Sequence, residues 1–218
     1  MYFKTRVEAG NLLADQIVDK YRNQNCTVVA LSDGGVMVGA QIALRLKCVL
    51  TLLLTAPLTL PHEIDDVGVV SQRGDITYSD MYSAGELEEL QSEFRTYIEE
   101  ERIRIIHEMN SLLGRGGLIR RDLLSKHNVI LVSDGLNSGL SLEAAAGYLK
   151  PVDFKKLIVA VPIASVKAVD RMHVLADEIY CLSVLGDYIN TNHYYDAEDI
   201  PDHKAVVKTV REIVLNWK

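Results

Sequence analysis

The chain has 218 residues, 48% of them hydrophobic, and a formal net charge of −7. This length suits one α/β domain with a substantial core, whereas two full domains would be cramped. The ordinary hydrophobic content excludes extensive disorder, and the acidic balance argues against nucleic acid as the main partner, because a nucleic-acid backbone selects a basic protein face.

The cysteines and the N-terminal residues indicate in which cellular compartment the protein is expected. Cys26, Cys48 and Cys181 show no paired spacing, and each lies in or beside an apolar run, so we expect reduced thiols and a cytoplasmic protein. The first residues lack an apolar core of signal-peptide length and no stretch approaches a membrane span, so no membrane partner is expected. The histidines lack metal-ligand spacing, and no zinc site is predicted.

The first third of the chain alternates between helical and strand patterns. Apolar residues at helical spacing predict a helix over Arg6–Tyr21. A strand is predicted over Thr27–Leu31, and a helix over Ala40–Leu46. The segment between them contains a glycine pair, which lets backbone N–H groups approach a ligand closely. We therefore predict a ligand-facing loop made of Ser32, Asp33, Gly34 and Gly35.

The next stretch predicts a small lid. A third strand, Cys48–Leu54, is followed by a hairpin predicted from Asp65–Val70 and Asp75–Tyr78. We expect this hairpin to be part of a small hood, or lid, that consists of residues of about 57–83. Its turn contains Arg73, which either contacts a phosphate or is a solvated turn residue. One long amphipathic helix is then predicted over Ala84–Leu113.

The most informative stretch follows a predicted strand, Val129–Val132. Asp134 and Gly135 break the strand, and a helix begins a few residues later. Hydroxyls, an amide and glycines at a helix N-terminus are typical of a phosphate cradle, which we assign to Gly135, Asn137, Ser138, Gly139 and Ser141. The alternative is an ordinary strand-to-helix turn in which Asp134 and Ser138 cap the helix.

Strands and helices continue to alternate after the cradle. Further strands are predicted over Lys156–Ile163 and Glu178–Leu182, and further helices over Ser165–Met172 and Val206–Leu215. An aromatic and polar loop, Tyr188–Asp196, precedes the last helix. This order predicts an α/β fold with a parallel central sheet flanked by helices, and the loops after its strands should surround one crevice.

The order of residues from Asp134 to Ser141 resembles the phosphoribosyl pyrophosphate (PRPP) loop of type I phosphoribosyltransferases. The segment that begins at Arg6 and the sequence Tyr194-Tyr195-Asp196 are similar to parts of one bacterial branch, so the resemblance covers almost the whole chain. It implies one domain spanning 1–218, usually homodimeric, that binds a small phosphoribosyl ligand.

The resemblance also implies roles for individual residues. The cradle would hold the 5-phosphate, and the catalytic Asp134 would hold a ribose hydroxyl or a Mg²⁺ ion. The segment Ser32–Gly35 would face the pyrophosphate. Tyr194 and Tyr195 would cover the base, or they are tyrosines packed on the surface of the domain.

Three departures from the family pattern all weaken the ribose and pyrophosphate contacts. Ser133 replaces the first of two adjacent acids, Asp33 replaces an arginine, and Thr55 and Ala56 replace basic residues. An aspartate about 5 Å from a pyrophosphate charge would cost roughly 3 kcal/mol at an effective dielectric near 20, unless Mg²⁺ bridges the two.

These departures leave two functions open. The first is transfer of phosphoribose from PRPP to a nitrogenous base. The second belongs to an inactive homologue that senses a phosphate ligand or binds another protein. A hydrolase acting on a phosphorylated sugar is disfavoured, because no nucleophile and base are recognisable as a pair.

Overall fold

Strands and helices alternate along the chain in a computed structural model that describes residues 1–61, 66–113, 119 and 121–213. The strands are β1 (Cys26–Ala30), β2 (Val49–Leu52), β3 (Thr55–Leu58), β4 (Gly68–Ser71), β5 (Ile76–Tyr78), β6 (Asn128–Val132), β7 (Lys156–Ser165) and β8 (Glu178–Leu185). The α-helices are α1 (Arg6–Tyr21), α2 (Asp33–Leu46), α3 (Ala84–Glu93), α4 (Arg95–Leu113), α5 (Leu140–Leu149), α6 (Val166–Leu175) and α7 (His203–Glu212). Across these ranges, none of the helices is both long and apolar enough to cross a membrane.

The central sheet has five strands in the order β2-β1-β6-β7-β8, and every neighbouring pair is parallel. Side chains alternate between its faces. Val28 and Ile130 pack with helices α1, α2 and α7, whereas Val29 and Leu131 pack with α5 and α6. Burying each such side chain contributes about 1.5–3 kcal/mol. The parallel α/β sheet covered on both faces is therefore confirmed.

A second sheet consists of β3, β4 and β5, which pair antiparallel in that order. Val69 of β4 packs against Leu140 and Ala144 at the start of α5. Apolar residues of α4, among them Ile105 and Met109, cover another part of this sheet. The sheet lies mostly within the stretch predicted as a hood, and Asp65 of that prediction lies outside the described residues.

Helix α2 begins seven residues earlier than expected, so Asp33, Gly34 and Gly35 lie in its first turn and not in a loop. Their predicted contact with a ligand stays a prediction. The hydroxyl of Ser32 accepts a hydrogen bond from the N–H of Gly35 at 2.9 Å and caps the helix. Gly34 and Gly35 are helical, and both are needed for close packing. A Cβ at Gly34 would lie 2.0 Å from Oδ2 of Asp134, and one at Gly35 would lie 2.9 Å from the carbonyl oxygen of Val132.

The predicted long helix is two helices, α3 and α4, because the chain leaves helical geometry at Phe94 (φ −100°, ψ 20°). Ser83 and Glu86 form a reciprocal cap at the start of α3. The break at Phe94 lets residues of both helices face the second sheet, since Leu87, Leu90 and Ile98 all join its apolar cluster. Sequence periodicity continued through this point and gave no sign of the break.

Close packing between α1 and α2 generates a test of the fold. A Cβ at Gly10 would lie 2.6 Å from the carbonyl oxygen of Val38, so we expect Gly10→Ala to lower the free energy of unfolding by about 1–3 kcal/mol. The control is Gly147→Ala in α5, where a Cβ meets nothing within 4 Å. This substitution should stabilise the protein by roughly 0.5–1 kcal/mol. Urea unfolding of both variants measures the difference, and effects of the same sign would contradict the packing.

Candidate functional site

The loops after β1 and β6 meet at the carboxylate of Asp134, which is 7% exposed. Its Oδ1 accepts a hydrogen bond from the hydroxyl of Ser32 at 2.8 Å. Its Oδ2 accepts one from Nε of Arg6 at 2.8 Å. Asp134 therefore lies at the carboxyl edge of the sheet, as the sequence predicted, but both carboxylate oxygens are engaged by the protein itself.

Arg6, the first residue of α1, is 1% exposed and uses all three guanidinium nitrogens. Besides Asp134 it binds Oδ1 of Asp199 at 3.0 Å and the side-chain oxygen of Asn192. Its guanidinium carbon lies 4.4 Å from the ring centroid of Tyr195. Burial lowers the pKa of Arg6, but the hydrogen bonds and charges of Asp134 and Asp199 outweigh burial and raise the pKa overall. This cation is permanently charged, and each of its three nitrogens has a hydrogen-bond partner.

Tyr194 and Tyr195 are 5% and 7% exposed and pack against other residues of the protein. The hydroxyl of Tyr195 donates to the carbonyl oxygen of Asp134 at 2.7 Å, and its ring stacks on Arg6. Burial, followed by the charge of Asp134, raises the pKa of Tyr195. The hydroxyl of Tyr194 donates to the carbonyl oxygen of Asp187 at 3.1 Å. Both rings hold the loop against the N-terminal segment, and their predicted role over a base stays a prediction.

Asp33 lies in the first turn of α2 and is paired with His203, the first residue of α7. Nδ1 of His203 lies 2.9 and 2.8 Å from the two carboxylate oxygens. Nε2 of His203 is buried and has no hydrogen-bond partner within the described part of the chain. The charge of Asp33 is therefore directed to a neighbouring side chain, a pairing that the sequence did not reveal.

The predicted phosphate cradle forms the turn into α5. Gly139 has φ +77°, a conformation that favours glycine, and it precedes α5 without a side-chain cap. The hydroxyl of Ser138 accepts from the N–H of Leu140 at 3.3 Å, and the Ser165 hydroxyl donates to the carbonyl oxygen of Asn137. Asp134 is directed to Arg6 and Ser32 rather than to this helix. The Ser138 part of the alternative interpretation is therefore present, because this hydroxyl accepts from the first N–H of α5, whereas Asp134 does not cap the helix.

Gly135, at the other end of the cradle, lies against the loop before α7. A Cβ there would approach the hydroxyl of Tyr188 to 2.3 Å and the side chain of Thr191 to 2.8 Å. These two side chains hydrogen-bond to each other at 2.7 Å. Burial raises the pKa of Tyr188 to about 12. A glycine at this position is required by close contact with the protein.

Two cavities open beside these loops. The first, of about 270 Å³, lies between the cradle and the second sheet, and its lining includes Thr55, Ser79, Asn137, Ser138 and Ser141. The second, of about 420 Å³, lies between the start of α2 and helix α4, and its lining includes Ser32, Asp33, Gly34, Thr55, Asp134 and His203. Thr55 lines both cavities. The structure therefore brings the predicted phosphate and pyrophosphate segments to adjoining spaces.

Arg73 stands apart from both cavity linings. Its guanidinium carbon lies 4.3 Å from the ring centroid of Tyr148 on α5, and the residue is exposed. Its predicted contact with a phosphate stays a prediction.

Several residues of the site were missed from sequence. Asn192, Asp199 and His203 follow no motif that marks them. Arg6 lies in a segment already recognised as family-like, and that was the one available signal.

The carboxylates do not fit a Mg²⁺ ion held by the protein alone. Mg²⁺ needs oxygen ligands in near-octahedral geometry. Both oxygens of Asp134 face hydrogen-bond donors, and both oxygens of Asp33 face His203. Within the ranges that the structure describes, no three His, Cys, Asp or Glu side chains are grouped so that they could hold a metal.

The buried ion pair generates a stability prediction. Removing one partner leaves a buried charge without compensation, so Arg6→Met should lower the free energy of unfolding by about 3–5 kcal/mol. Adding Asp134→Asn should recover part of this loss, with a coupling energy of about 1–3 kcal/mol. Urea unfolding of both single variants and the double variant measures the coupling.

The control for this cycle is Arg45→Met. This substitution removes an ion pair between Arg45 and Asp15, whose side chains are 46% and 58% exposed, respectively. It should lower the free energy of unfolding by less than about 1 kcal/mol. Equal losses from Arg6→Met and Arg45→Met would show that the buried pair is not structurally important.

Comparison with known proteins places this geometry in a family. A family model described as a phosphoribosyl transferase domain matches residues 4–199. Two proteins from Mycobacterium tuberculosis strains, CDC 1551 and H37Rv, carry the provisional name phosphoribosyl transferase, and each is 25% identical over 182 residues. The match covers 83% of this chain and 40% of each relative, so the chain spans less than half the length of these curated relatives.

Solved structures agree on the fold. The crystal structure of TT1426 from Thermus thermophilus is 26% identical, with a TM-score of 0.68 and coverage of 100% of this chain and 99% of that chain. A purine phosphoribosyltransferase from Pyrococcus horikoshii is 13% identical, with a TM-score of 0.50 and coverage of 92% and 95%. The second likeness shows the fold alone. With a family model that matches nearly the whole sequence, the chain belongs to the phosphoribosyl transferase domain family.

Proposed function

We propose that this chain binds a 5-phosphoribosyl ligand, such as ribose 5-phosphate or a nucleoside monophosphate, without transferring phosphoribose from PRPP. The observation that carries the proposal is the engagement of both Asp134 oxygens by Arg6 and Ser32. A carboxylate that already accepts two hydrogen bonds in a buried setting is poorly placed to take on a metal ion as well. The adjacent position, where the family usually has a second acid, is Ser133, and its hydroxyl donates to the carbonyl oxygen of Gly135 at 2.8 Å.

The cradle supports binding of a phosphate monoester. Backbone N–H groups at the start of a helix, together with the helix dipole, favour an anion at that end. The N-cap residue of α5 is Gly139, which has no side chain to cap the helix, and the Ser138 hydroxyl accepts from the N–H of Leu140. The hydroxyls of Ser138 and Ser141 line the adjoining 270 Å³ cavity. Thr55 and Ser79 add hydroxyls from the side of the second sheet. A single phosphate would find hydroxyl donors on both walls, whereas the described lining has no lysine or arginine and includes the carboxylate of Asp66.

The 420 Å³ cavity beside α2, where pyrophosphate was predicted to bind, offers a phosphate group fewer favourable charges. Among its described lining residues there is no lysine or arginine, and the acids there are Asp33, Glu108 and Asp134. Arg6 pairs with Asp134, Arg104 pairs with Glu108, and Nδ1 of His203 lies against Asp33. This wall therefore presents no unpaired positive charge among its described residues. Each cation that the family usually supplies about 5 Å from a phosphate charge would contribute roughly 3 kcal/mol of attraction at an effective dielectric near 20, and that attraction is missing here.

An active transferase is the second candidate, favoured by the family match and by the nearly complete 5-phosphate cradle. Members of this family commonly use Mg²⁺. In such a reaction the protein would supply positioning and charge to a transition state that resembles a ribosyl cation with departing pyrophosphate. We also propose a homodimer and a cytoplasmic location, as expected from the sequence. The molecular mass of the purified chain, measured by sedimentation, tests the homodimer.

Calorimetric titration with PRPP, ribose 5-phosphate and a nucleoside monophosphate, each with and without Mg²⁺, separates the two candidates. We expect PRPP to bind no more tightly than the monophosphates, because its extra charges meet no cation in the described lining. Addition of purine or pyrimidine bases should release no pyrophosphate. Tighter binding of PRPP with Mg²⁺, together with pyrophosphate release, would establish the transferase instead.

The cradle has its own test. Ser138→Ala should weaken binding of ribose 5-phosphate by roughly 1.5–3 kcal/mol, the contribution of a hydrogen bond to a charged group. Ser92→Ala, at an exposed position of α3, is the matched control and should leave the affinity unchanged. If Ser138→Ala and Ser92→Ala both bind like the unmodified protein, Ser138 does not contact the phosphate.

A further inference from the structure

Strand β8 forms one edge of the central sheet and is paired on one side. It pairs with β7 from Glu178 to Leu185, and among the described residues no other strand or loop forms a backbone-to-backbone hydrogen bond with it. Every residue of β8 is at least partly exposed, whereas all residues of β7 after the first are buried. A strand paired on one side leaves a row of N–H and C=O groups that another strand can bind.

The sequence of β8 does not block this edge. Edge strands of proteins are commonly short, charged, interrupted by proline or bent by a bulge. β8 has eight residues, and from Ile179 to Leu185 it contains neither a charged residue nor a proline. Its register with β7 has the same offset at both ends of the ladder, so β8 has no bulge. Strand β2, at the opposite edge of the sheet, has four residues, and three of them are buried.

The two ends of β8 carry opposite charge. At its start, Nζ of Lys20 and Nζ of Lys156 lie 2.7 and 2.8 Å from the carboxylate of Glu178, so two cations meet one anion. Two further exposed residues at this end offset each other in charge, Lys155 and Asp177. Just beyond the other end lies Asp187, which is exposed. An antiparallel partner with the same ends would therefore bring a negative end beside a positive end twice.

We infer that β8 pairs antiparallel with β8 of a second copy of this chain, about a twofold axis perpendicular to the sheet. A second copy fits because its edge is equally uncharged and its ends are complementary in charge to those of the first. Facing residues of an antiparallel pair direct their side chains to the same face, so Cys181 or Leu182 lies at the axis. Asp187 of each copy then lies beside Lys20 and Lys156 of the other.

This pairing joins two five-stranded sheets into one continuous sheet. It removes both free β8 edges, and the twofold axis closes the assembly at two copies. It goes beyond the proposed function, because it involves no residue of the cradle. It also gives the proposed homodimer a specific surface.

Sedimentation equilibrium of the full chain tests the pairing through the mass and the dimer dissociation constant. We expect twice the 24.3 kDa of one chain. Val184, in β8, is 52% exposed, and Val184→Lys should weaken the dimer at least roughly tenfold, because lysine on an edge strand opposes pairing. Ile103→Lys on α4 is the matched control, since Ile103 is 61% exposed. It should leave the dissociation constant unchanged.

A charge exchange tests the direction of pairing. Asp187→Lys places like charges beside Lys20 and Lys156 of the other copy and should weaken the dimer roughly tenfold, because the twofold axis repeats the change. Adding Lys20→Glu to the same chain should recover most of this loss. Glu88→Lys on α3 reverses the charge of another exposed acid and should have no effect.

Hydrogen exchange of the unmodified chain reports on the backbone of β8. Its amides should exchange roughly tenfold more slowly above the dimer dissociation constant than below it. A monomeric chain would overturn the inference and leave this edge to a different partner. A dimer that gains no protection in β8 and tolerates Val184→Lys would also overturn it, and the proposed homodimer would then use another surface. Neither outcome bears on ligand binding at the cradle.

Discussion

The ion pair between Arg6 and Asp134 is the interaction on which the rest of the site depends. It joins the first helix to the central sheet and is almost completely buried. A buried pair is stable only when every remaining donor and acceptor is satisfied. Asp199 and Asn192 each accept one further N–H of the guanidinium, and the ring of Tyr195 packs against it. The loop before α7 is therefore held against the N-terminal segment by electrostatics as well as by packing.

The position of Asp134 in this pair also restricts which residues can pack beside it. Asp134 approaches α2 so closely that Gly34 cannot be replaced by a residue with a Cβ without displacing the carboxylate. The hydroxyl of Ser32 then performs two tasks, capping α2 and donating to Asp134. The segment predicted from the resemblance to face pyrophosphate is part of an internal hydrogen-bond network. A ligand that bound Ser32 or Asp134 would compete with interactions that stabilise the fold.

The two sides of the crevice consequently differ in chemistry. The cradle side presents hydroxyls and a helix N-terminus, which suit a single phosphate. The α4 side presents apolar side chains together with carboxylates that are paired within the protein. The second sheet contributes Thr55 to both sides, and it packs on α5 through Val69. The shapes of the two spaces therefore depend on how the second sheet and α4 pack on the central sheet.

The sequence by itself determined the alternation of strands and helices, the buried strand before Asp134 and the glycine-containing turn into the helix after it, because these depend on local periodicity and turn chemistry. Only the tertiary structure decided that Asp33 pairs with His203 and that Asp134 pairs with Arg6, since each pair joins residues more than a hundred positions apart. The early start of α2 likewise depended on packing against Asp134. Long-range pairing of charges leaves no periodic signal in a sequence, and so the fold was predictable where the electrostatics of its site were not.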